Sequence, residues 1–315
     1  MPEGGERVIM KITGVLVDLM VEMAPEIYGP YVVYENGKKV LYVQVLKALY
    51  GMLVAALLWF SVFKKDLENI GFEFNPYDPC VANRMVNGKH HIVRFHVDDL
   101  MSSHVDPKVN DRFLVWLNKM YGHYGKVVAT RGKVHDYLGM VFDFTEPGTL
   151  ILDMVDYVEK MLEEFSMDLG EDDKEECPAS SDLFKEGTGE LEFSKKKEFH
   201  TFVAKGLFAC KRARPDIHQV ISVLSTRTKN PNRDDWNKLV HLMKNLNATR
   251  KDKLHLSIDN INVVKWWVDA SFAVHPDFKS HTGMAMSMGR GCPICPTNRC
   301  RWKIMTISRV VTRAS

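Results

Sequence analysis

The sequence has little net charge, few cysteines and no long apolar run, and each shortage excludes a class of protein. Its 42 Lys and Arg residues nearly balance 40 Asp and Glu residues, which leaves a formal net charge of +2. A global positive field for nucleic acids is therefore absent, and any such binding must rest on local basic clusters. Six cysteines in 315 residues, scattered apart from the last three, exclude a disulfide-rich scaffold and predict a reducing compartment.

The most apolar segment, residues 48–63, is too short and too interrupted for a membrane span. It contains Gly51 and Ser61 and lies between Lys47 and Lys64, which suits a buried helix. The N-terminus has no apolar stretch of the secretory kind. With 45% apolar and 26% charged residues, the composition predicts a soluble intracellular protein, cytoplasmic or nuclear, of two or three domains.

Two adjacent carboxylates, Asp98 and Asp99, follow a run of β-type sequence. The run begins after Asn87-Gly88, a strong hairpin signal, and continues to Val97. We predict a strand, a tight turn that displays the carboxylates, and a second strand. Mg²⁺ prefers oxygen ligands and is usually held by one or two carboxylates together with substrate phosphates. A plain surface turn is the alternative, because Asp is a favoured turn residue.

Further blocks of sequence surround this pair and cover nearly the whole chain. They are KALYGM (47–52), GFEFNPYDPC (71–80), FHVDDL (95–100), HDYLGM (135–140), LFACKRARPD (207–216) and VKWWVDASF (264–272). In type and order, these blocks resemble the copia-type retrotransposon reverse transcriptase. The last of them is similar to the opening of that family's RNase H domain.

The resemblance implies an α+β fold. It would consist of a reverse-transcriptase palm with an antiparallel sheet backed by helices, a helical thumb and connection, and an incomplete RNase H-like piece. The corresponding divisions are residues 1–168, 169–252 and 253–315. Residues 170–189, rich in Asp, Glu, Ser and Gly, are predicted to form a linker. The implied activity is RNA-directed DNA polymerase, which uses an RNA template, a DNA primer and deoxynucleotides, within a parent polyprotein.

The resemblance also implies roles for individual residues. Asp98 and Asp99 match the metal-binding turn, which holds Mg²⁺ or Mn²⁺, and Asp98 is the more direct ligand. The other matched positions are Tyr50, Gly51 and His96 beside the nucleotide and template, and Tyr137, Leu138 and Gly139 in the primer grip. Packing within the strand is an equal alternative for His96. A simple strand-to-helix junction is the alternative for Gly51.

The sequence departs from the family at both expected catalytic centres. The family's first catalytic aspartate precedes the segment that residues 8–12 resemble, but residues 1–7 contain no Asp, and Asp18 belongs to the helix that follows. Asp269 matches the first RNase H carboxylate. The family's next RNase H acid is a Glu, and the sequence ends at Ser315 before that position. Asp269 is then a single carboxylate, which cannot hold two metal ions. We therefore expect that the chain alone does not extend a DNA primer on RNA.

A non-catalytic role in binding nucleic acid is the alternative function. Basic residues in the helical segment 193–225 could follow a phosphate backbone through salt-sensitive contacts. These residues are Lys205, Lys211, Arg212 and Arg214. A solvated helix face explains them nearly as well. A translated relic without a selected role is a third hypothesis.

A cluster of cysteines near the C-terminus resembles half a zinc knuckle. Cys292, Cys295 and Cys300 form a C-x₂-C-x₄-C pattern. The expected His is not in place and no fourth ligand follows, whereas structural zinc takes four ligands. We interpret the three cysteines as a chance cluster.

Overall fold

The computed structural model describes residues 8–46, 49, 52–170, 172–300 and 310–313. The chain divides into two compact units, Met1–Val127 and Val128–Ser315, and each is described by itself. The divisions predicted after residues 168 and 252 both fall inside the second unit. Tyr50 and Gly51, the predicted nucleotide and template contacts, lie outside the described residues.

A three-stranded antiparallel sheet opens the first unit. Its strands, in the order β1-β3-β2 across the sheet, are β1 (Ile9–Thr13), β2 (Val32–Glu35) and β3 (Lys38–Gln44). The helices between β1 and β2 are α1 (Val15–Met23) and α2 (Pro25–Tyr28). The buried core of this sheet consists of Ile12, Val17 and Leu41.

A four-stranded antiparallel sheet and its helices complete the first unit. The helices are α3 (Leu53–Asn69) and α4 (Pro107–Tyr121). The strands, in their order across the sheet, are β4 (Glu73–Phe74), β5 (Val81–Val86), β6 (Lys89–His96) and β7 (Asp99–Ser103). Gly71 follows α3 with a φ angle of 84°, the left-handed conformation that commonly ends a helix.

The alternating sequence of β6 explains how this sheet packs. His91, Val93 and Phe95 are buried, whereas Arg94 and His96 are exposed, as the two-residue period of a strand requires. The apolar residues join a core that both helices line: Phe63, Leu67, Phe113 and Leu117. One face of the sheet is therefore covered by α3 and α4, and the β6 sequence determines which face that is.

Another four-stranded antiparallel sheet lies in the second unit. Its strands are β8 (Val134–Tyr137), β9 (Met140–Asp143), β10 (Thr149–Asp153) and β11 (Leu254–Ser257), in the order β11-β10-β9-β8. Residues 135–144 do not form one continuous strand. Leu138 and Gly139 have positive φ angles of 53° and 75° and form a two-residue turn between β8 and β9.

The position of β11 also differs from the prediction that a separate piece begins at residue 253. Leu254 pairs with Leu152 and Ser257 with Thr149, so β11 extends the β9–β10 hairpin. The alternating sequence identifies a strand but carries no information about its partner, which lies about a hundred residues earlier.

Helices form the main hydrophobic core of the second unit. They are α5 (Val155–Glu163), α6 (Phe193–Cys210), α7 (His218–Ser225) and α8 (Arg233–Ala248). Asn232 and Asp235 form a reciprocal capping box at the start of α8. The apolar stripe of α8 is buried in the core: Trp236, Leu239, Leu242 and Leu246. A 3₁₀ turn, Pro215–Ile217, lies directly before α7.

The segment 170–189 is not a free linker, because polar side chains of α8 bind its backbone. The Asn245 side-chain amide donates to the Glu175 carbonyl at 2.9 Å, and Lys238 Nζ donates to the Lys185 carbonyl at 2.6 Å. Lys238 is 5% exposed, so this contact also satisfies a buried ammonium group. Contacts of this kind leave no periodic signal in the sequence.

A further four-stranded antiparallel sheet lies in the second unit. Its strands, in the order β14-β13-β12-β15, are β12 (Val263–Ser271), β13 (Ser280–Ser287), β14 (Thr297–Cys300) and β15 (Val310–Arg313). Helices and antiparallel sheets together are the components of an α+β chain. In the described part of the chain, no helix combines the length and the apolar character needed to cross a membrane.

Candidate metal-binding hairpin

Asp98 and Asp99 lie at the tip of the β6–β7 hairpin, where the sequence predicts a turn. His96 pairs with Asp99 in the ladder, so Val97 and Asp98 form a two-residue turn. Val97 has a φ angle of 55°, which is unusual for a β-branched residue and is strained. Strain of this kind persists only where the surrounding structure imposes it, and it is concentrated at functional sites.

The strand below the tip is held by a cluster of aromatic rings. Phe95 is 2% exposed, and its ring lies edge-on to Phe63, with 5.0 Å between the ring centroids. Trp59, Phe60 and Phe74 surround it at centroid distances of 5.9, 6.1 and 6.2 Å. Aromatic pairs at such distances add stabilisation beyond their burial. The turn therefore starts from a firmly packed strand.

A chain of partly buried hydrogen bonds holds the opposite end of the hairpin. The Arg84 Nε group donates to His91 Nδ1 at 3.2 Å, which leaves His91 Nε2 to donate to Ser102 Oγ at 2.8 Å. Ser102 Oγ donates in turn to Asn110 Oδ1 at 2.8 Å. Burial, reinforced by the charges of Arg84 and His104, lowers the pKa of His91 to about 4. The neutral imidazole therefore ties β5, β6 and β7 to α4.

The two carboxylates are exposed and have no competing partner. Among the described residues, neither Asp98 nor Asp99 accepts a hydrogen bond or forms an ion pair. No group of three or more His, Cys, Asp or Glu side chains in the described ranges is arranged to hold a metal ion. Two carboxylates without partners are the type of ligand that Mg²⁺ takes together with water and phosphate oxygens. His96 is also exposed, so it does not pack in the core.

Asp269 has a different environment in the second unit. It is exposed on β12, and its Oδ1 atom accepts a hydrogen bond from the Ala270 backbone N–H at 2.8 Å. It lines an open cavity of about 230 Å³ with Asp216 and His281, among other residues. Asp216 is already bound by the Arg214 guanidinium through both carboxylate oxygens. Among the described residues that line this cavity, no unengaged carboxylate accompanies Asp269.

The predicted primer-grip residues form a turn that is docked on α6. The Arg212 Nε group donates to the Leu138 carbonyl oxygen at 3.1 Å, and its guanidinium lies 3.5 Å from the centre of the Phe208 ring. A Cβ atom on Gly139 would lie 3.1 Å from Phe208 Cζ, so glycine suits both the positive φ angle and the close approach. Tyr137, at the end of β8, is half-buried. Arg212 therefore positions this turn.

The other basic residues predicted to follow a phosphate backbone have unlike surroundings. Lys211 is exposed, whereas Lys205 is partly buried and forms an ion pair with Glu164. Arg214 is 2% exposed and donates to the side chain and the carbonyl oxygen of Thr249, at 2.7 and 3.2 Å. A guanidinium so enclosed cannot reach a phosphate group. Its role in the structure is to bind the end of α8 to the turn before α7.

Sequence reasoning missed the polar contacts that hold these turns. One signal was available for the network around His91, since His91 shares a strand face with Val93 and Phe95. A polar side chain on an apolar face must find a buried partner. No comparable signal marks Arg212, because its acceptor is a backbone carbonyl distant in the chain.

Comparison with known proteins finds relatives among retrotransposon proteins. The chain is 24% identical over 246 residues to the "Putative transposon Ty5-1 protein" of Saccharomyces cerevisiae, a match that covers 78% of each chain. It is 26% identical over 272 residues to the "Retrovirus-related Pol polyprotein from transposon TNT 1-94" of Nicotiana tabacum. That match covers 81% of this chain and 19% of the polyprotein. No family model and no solved structure matches. These relatives support a retrotransposon origin and a correspondence to a region of a Pol polyprotein.

Proposed function

We propose that the chain is the reverse-transcriptase region of a retrotransposon polyprotein, in which Asp98 and Asp99 bind Mg²⁺ or Mn²⁺ beside a primer end. The observation that carries the proposal is the strained hairpin tip, which presents two exposed carboxylates from a firmly packed base. The retrotransposon relatives support it at the coarser level of a Pol polyprotein region. The partners implied for RNA-directed DNA synthesis are an RNA template, a DNA primer and deoxynucleotides.

The backbone at Val97 favours this function over a passive surface turn. A two-residue hairpin turn with a positive φ angle normally uses Gly, Asn or Asp, which adopt that conformation at low cost. Val97 has a φ angle of 55° and adds strain on the order of 1–3 kcal/mol. A metal site can use strain of this kind to hold its carboxylates in one arrangement.

The roles of the protein groups follow from their positions. Asp98 and Asp99 would supply the carboxylate oxygens, while the Phe95 cluster and the His91 network keep the hairpin from moving when a ligand binds. A bound divalent cation would activate the primer hydroxyl and neutralise charge that develops on the leaving pyrophosphate. Deoxynucleotide phosphates would complete its coordination, so metal binding at the tip should strengthen when a deoxynucleoside triphosphate is present.

Iron-directed backbone cleavage tests this site. Fe²⁺ occupies sites built for Mg²⁺ or Mn²⁺, and with ascorbate and peroxide it cleaves the chain next to the bound ion. We expect cleavage close to residues 96–100, increased by a deoxynucleoside triphosphate and an RNA–DNA primer–template, and suppressed by excess Mg²⁺. The Asp98→Asn and Asp99→Asn variants should lose this cleavage. The fragments are located by mass spectrometry.

The matched control is Asp269→Asn, which removes an exposed aspartate from the other unit. It should leave cleavage at the hairpin unchanged. Cleavage that persists in Asp98→Asn, or that occurs only away from the hairpin, would contradict the proposal.

Non-catalytic binding of nucleic acid, the alternative function, gains little from the structure. Of the residues predicted to follow a backbone, Lys205 is ion-paired, Arg212 is docked on a turn and Arg214 is buried. If this alternative holds, the chain will bind an RNA–DNA hybrid with a steep salt dependence, Asp98→Asn will bind equally well, and no nucleotide-dependent cleavage will be seen.

A further inference from the structure

Cys292 and Cys295 lie in the loop between β13 and β14, far in sequence from the hairpin site. Their sulfur atoms are 2.8 Å apart, and both residues are partly exposed. Two thiolates bound to one tetrahedral zinc ion at about 2.3 Å would be roughly 3.8 Å apart. The pair is therefore closer than a shared zinc ion permits, and within the described residues no third metal ligand accompanies it. A covalent bond between the sulfurs would be about 2.0 Å long.

Hydrogen bonds across the loop hold both cysteines in register. The Met284 N–H donates to the Pro296 carbonyl at 3.0 Å, and the Met286 N–H donates to the Ile294 carbonyl at 2.9 Å. The Cys292 thiol lies 3.1 Å from the carbonyl oxygens of Met286 and Ile294. The sulfur atoms, now 2.8 Å apart, need to approach each other by only about 0.8 Å to reach bonding distance.

The loop is also anchored to neighbouring elements of the same unit. The Ser257 N–H of β11 donates to the Arg290 carbonyl at 3.0 Å. A Cβ atom on Gly291 would lie 2.0 Å from the His255 carbonyl oxygen, so the backbone there is packed directly against β11. The Cys295 carbonyl accepts a hydrogen bond from His218 Nδ1 at 2.5 Å. These contacts leave the loop preorganised for ring closure, which reduces the entropy lost when the bond forms.

We propose that Cys292 and Cys295 are a thiol–disulfide exchange site. The two cysteines form a reversible disulfide with each other, and a small disulfide such as oxidised glutathione is the oxidant. The Cys292 thiolate attacks one sulfur of the small disulfide, the sulfur–sulfur bond breaks, and one small thiolate leaves. Cys295 then passes its proton to the small thiolate that has left and attacks Cys292 Sγ. This attack expels the second small thiolate, which takes up the proton that Cys292 had released to solvent. Two protein thiols are thereby oxidised to one disulfide, and one small disulfide is reduced to two thiols.

The order of these steps follows from the surroundings of the two sulfurs. Burial, together with the hydrogen bond to the Cys292 sulfur, raises the pKa of Cys295 to about 12. Cys295 therefore remains a thiol until the mixed disulfide has formed, and Cys292 makes the first attack. The thiolate is the nucleophile in such exchange.

The sequence makes this site easy to test by peptide mapping. Trypsin cleaves after Arg290 and Arg299, so one peptide, residues 291–299, carries both cysteines and excludes Cys300. The reduced chain is incubated with oxidised glutathione, quenched with iodoacetamide and digested. We expect this peptide to be two hydrogens lighter and unalkylated, and to exceed its glutathione-bound form by about tenfold or more, because ring closure is intramolecular. Dithiothreitol should restore alkylation of both cysteines.

Controls come from the variants and from the chain itself. Cys292→Ser and Cys295→Ser should each accumulate the mixed disulfide without the cyclic form. Cys177, which is exposed, should carry glutathione in the same sample and shows that the oxidant was active. Alkylation of both loop cysteines in that sample would overturn the proposal, as would a cross-link to Cys300. Equimolar zinc that the reduced chain retains and Cys292→Ser loses would also overturn it.

Discussion

The dipeptide Val-Asp occurs at both candidate acids, and the two units of the molecule use it in opposite ways. In the first unit, Val97 has a φ angle of 55° and Asp98 is exposed in a turn. In the second unit, Val268 and Asp269 lie inside β12, opposite Met284 and Gly283 of β13. The same pair of residues thus yields a strained turn in one sheet and a regular strand in the other.

The surroundings of each aspartate, and not the dipeptide itself, therefore determine what its carboxylate can do. A second carboxylate, Asp99, follows Asp98, whereas Ala270 follows Asp269. The β6–β7 hairpin ends at its own turn, while β12 is hydrogen-bonded to β13 and β15 on its two sides. Of these two arrangements, only the first presents adjacent carboxylates without partners among the described residues, and carboxylate oxygens are ligands that a hard cation takes.

The largest expected difference between the two units is in the stability lost when the aromatic side chain before each acid is removed. Phe95, three residues before Asp98, is 2% exposed, whereas Trp267, two residues before Asp269, is 39% exposed. Phe95→Ala should destabilise the first unit by about 3–5 kcal/mol, because it removes a buried ring and leaves a cavity. Trp267→Ala should destabilise the second unit by no more than about 1 kcal/mol. Urea titrations followed by NMR signals assigned to each unit measure both values.

Equal losses in the two variants would show that Phe95 is not the anchor of the hairpin. Leu242→Ala provides the reciprocal control, since Leu242 is fully buried in the second unit. It should destabilise that unit by about 2–5 kcal/mol and leave the signals of the first unit unchanged.

Acid should weaken the first unit through His91. The folded-state pKa of about 4 lies below the ordinary value of 6.5 because the imidazole is buried. Between these two pH values the unfolded chain binds a proton that the folded chain does not. Stability is therefore complete above about pH 6.5 and falls as the pH decreases towards 4, by up to about 3 kcal/mol in total. Urea titrations at neutral and acidic pH measure the loss.

A substitution at His91 distinguishes the acid-dependent loss of stability in the first unit from that in the second. Glutamine can accept from Arg84 and donate to Ser102 but does not titrate, so His91→Gln should reduce the acid-dependent loss in the first unit. His281 in the second unit also has a pKa lowered to about 4 by burial. The second unit of His91→Gln should therefore still lose stability with acid. An unchanged pH dependence in the first unit would assign the effect to other groups.

The same contrast explains how much of the molecule was predictable from sequence. The β6–β7 hairpin was predictable because its determinants are local: an Asn-Gly turn before β6, a run of β-type residues, and two acids at the turn that follows. The turn at Leu138 and Gly139 was not, because Leu is not a turn residue and its positive φ angle accompanies a hydrogen bond from Arg212, 74 residues later.

The placement of segments distant in sequence was likewise beyond a local reading. The composition of residues 170–189 predicted a linker, yet side chains of α8 bind that backbone. For the candidate site, the acids were identified from the sequence, whereas the Arg84–His91–Ser102 chain was not. Chemistry-bearing residues leave a signal in sequence, but the contacts that hold them depend on tertiary structure.

The smallest expected effect tests the comparison most directly, because one substitution should have opposite signs in the two units. Val97→Gly removes a Cβ atom from a left-handed backbone, so it should stabilise the first unit by about 1 kcal/mol. Val268→Gly places glycine in a strand interior and removes a partly buried side chain, so it should destabilise the second unit by about 1 kcal/mol or more. The same urea titrations measure both changes.

If Val97→Gly destabilises the first unit, the turn is not strained, and its backbone no longer supports a metal site at the hairpin. If it stabilises the unit, a further measurement shows what the strain contributes. Glycine widens the range of conformations open to the turn, so Asp98 and Asp99 would no longer be held in one arrangement. Iron-directed cleavage at the hairpin should then weaken although both carboxylates remain, which is the result expected where a stability cost is retained for the sake of a binding site.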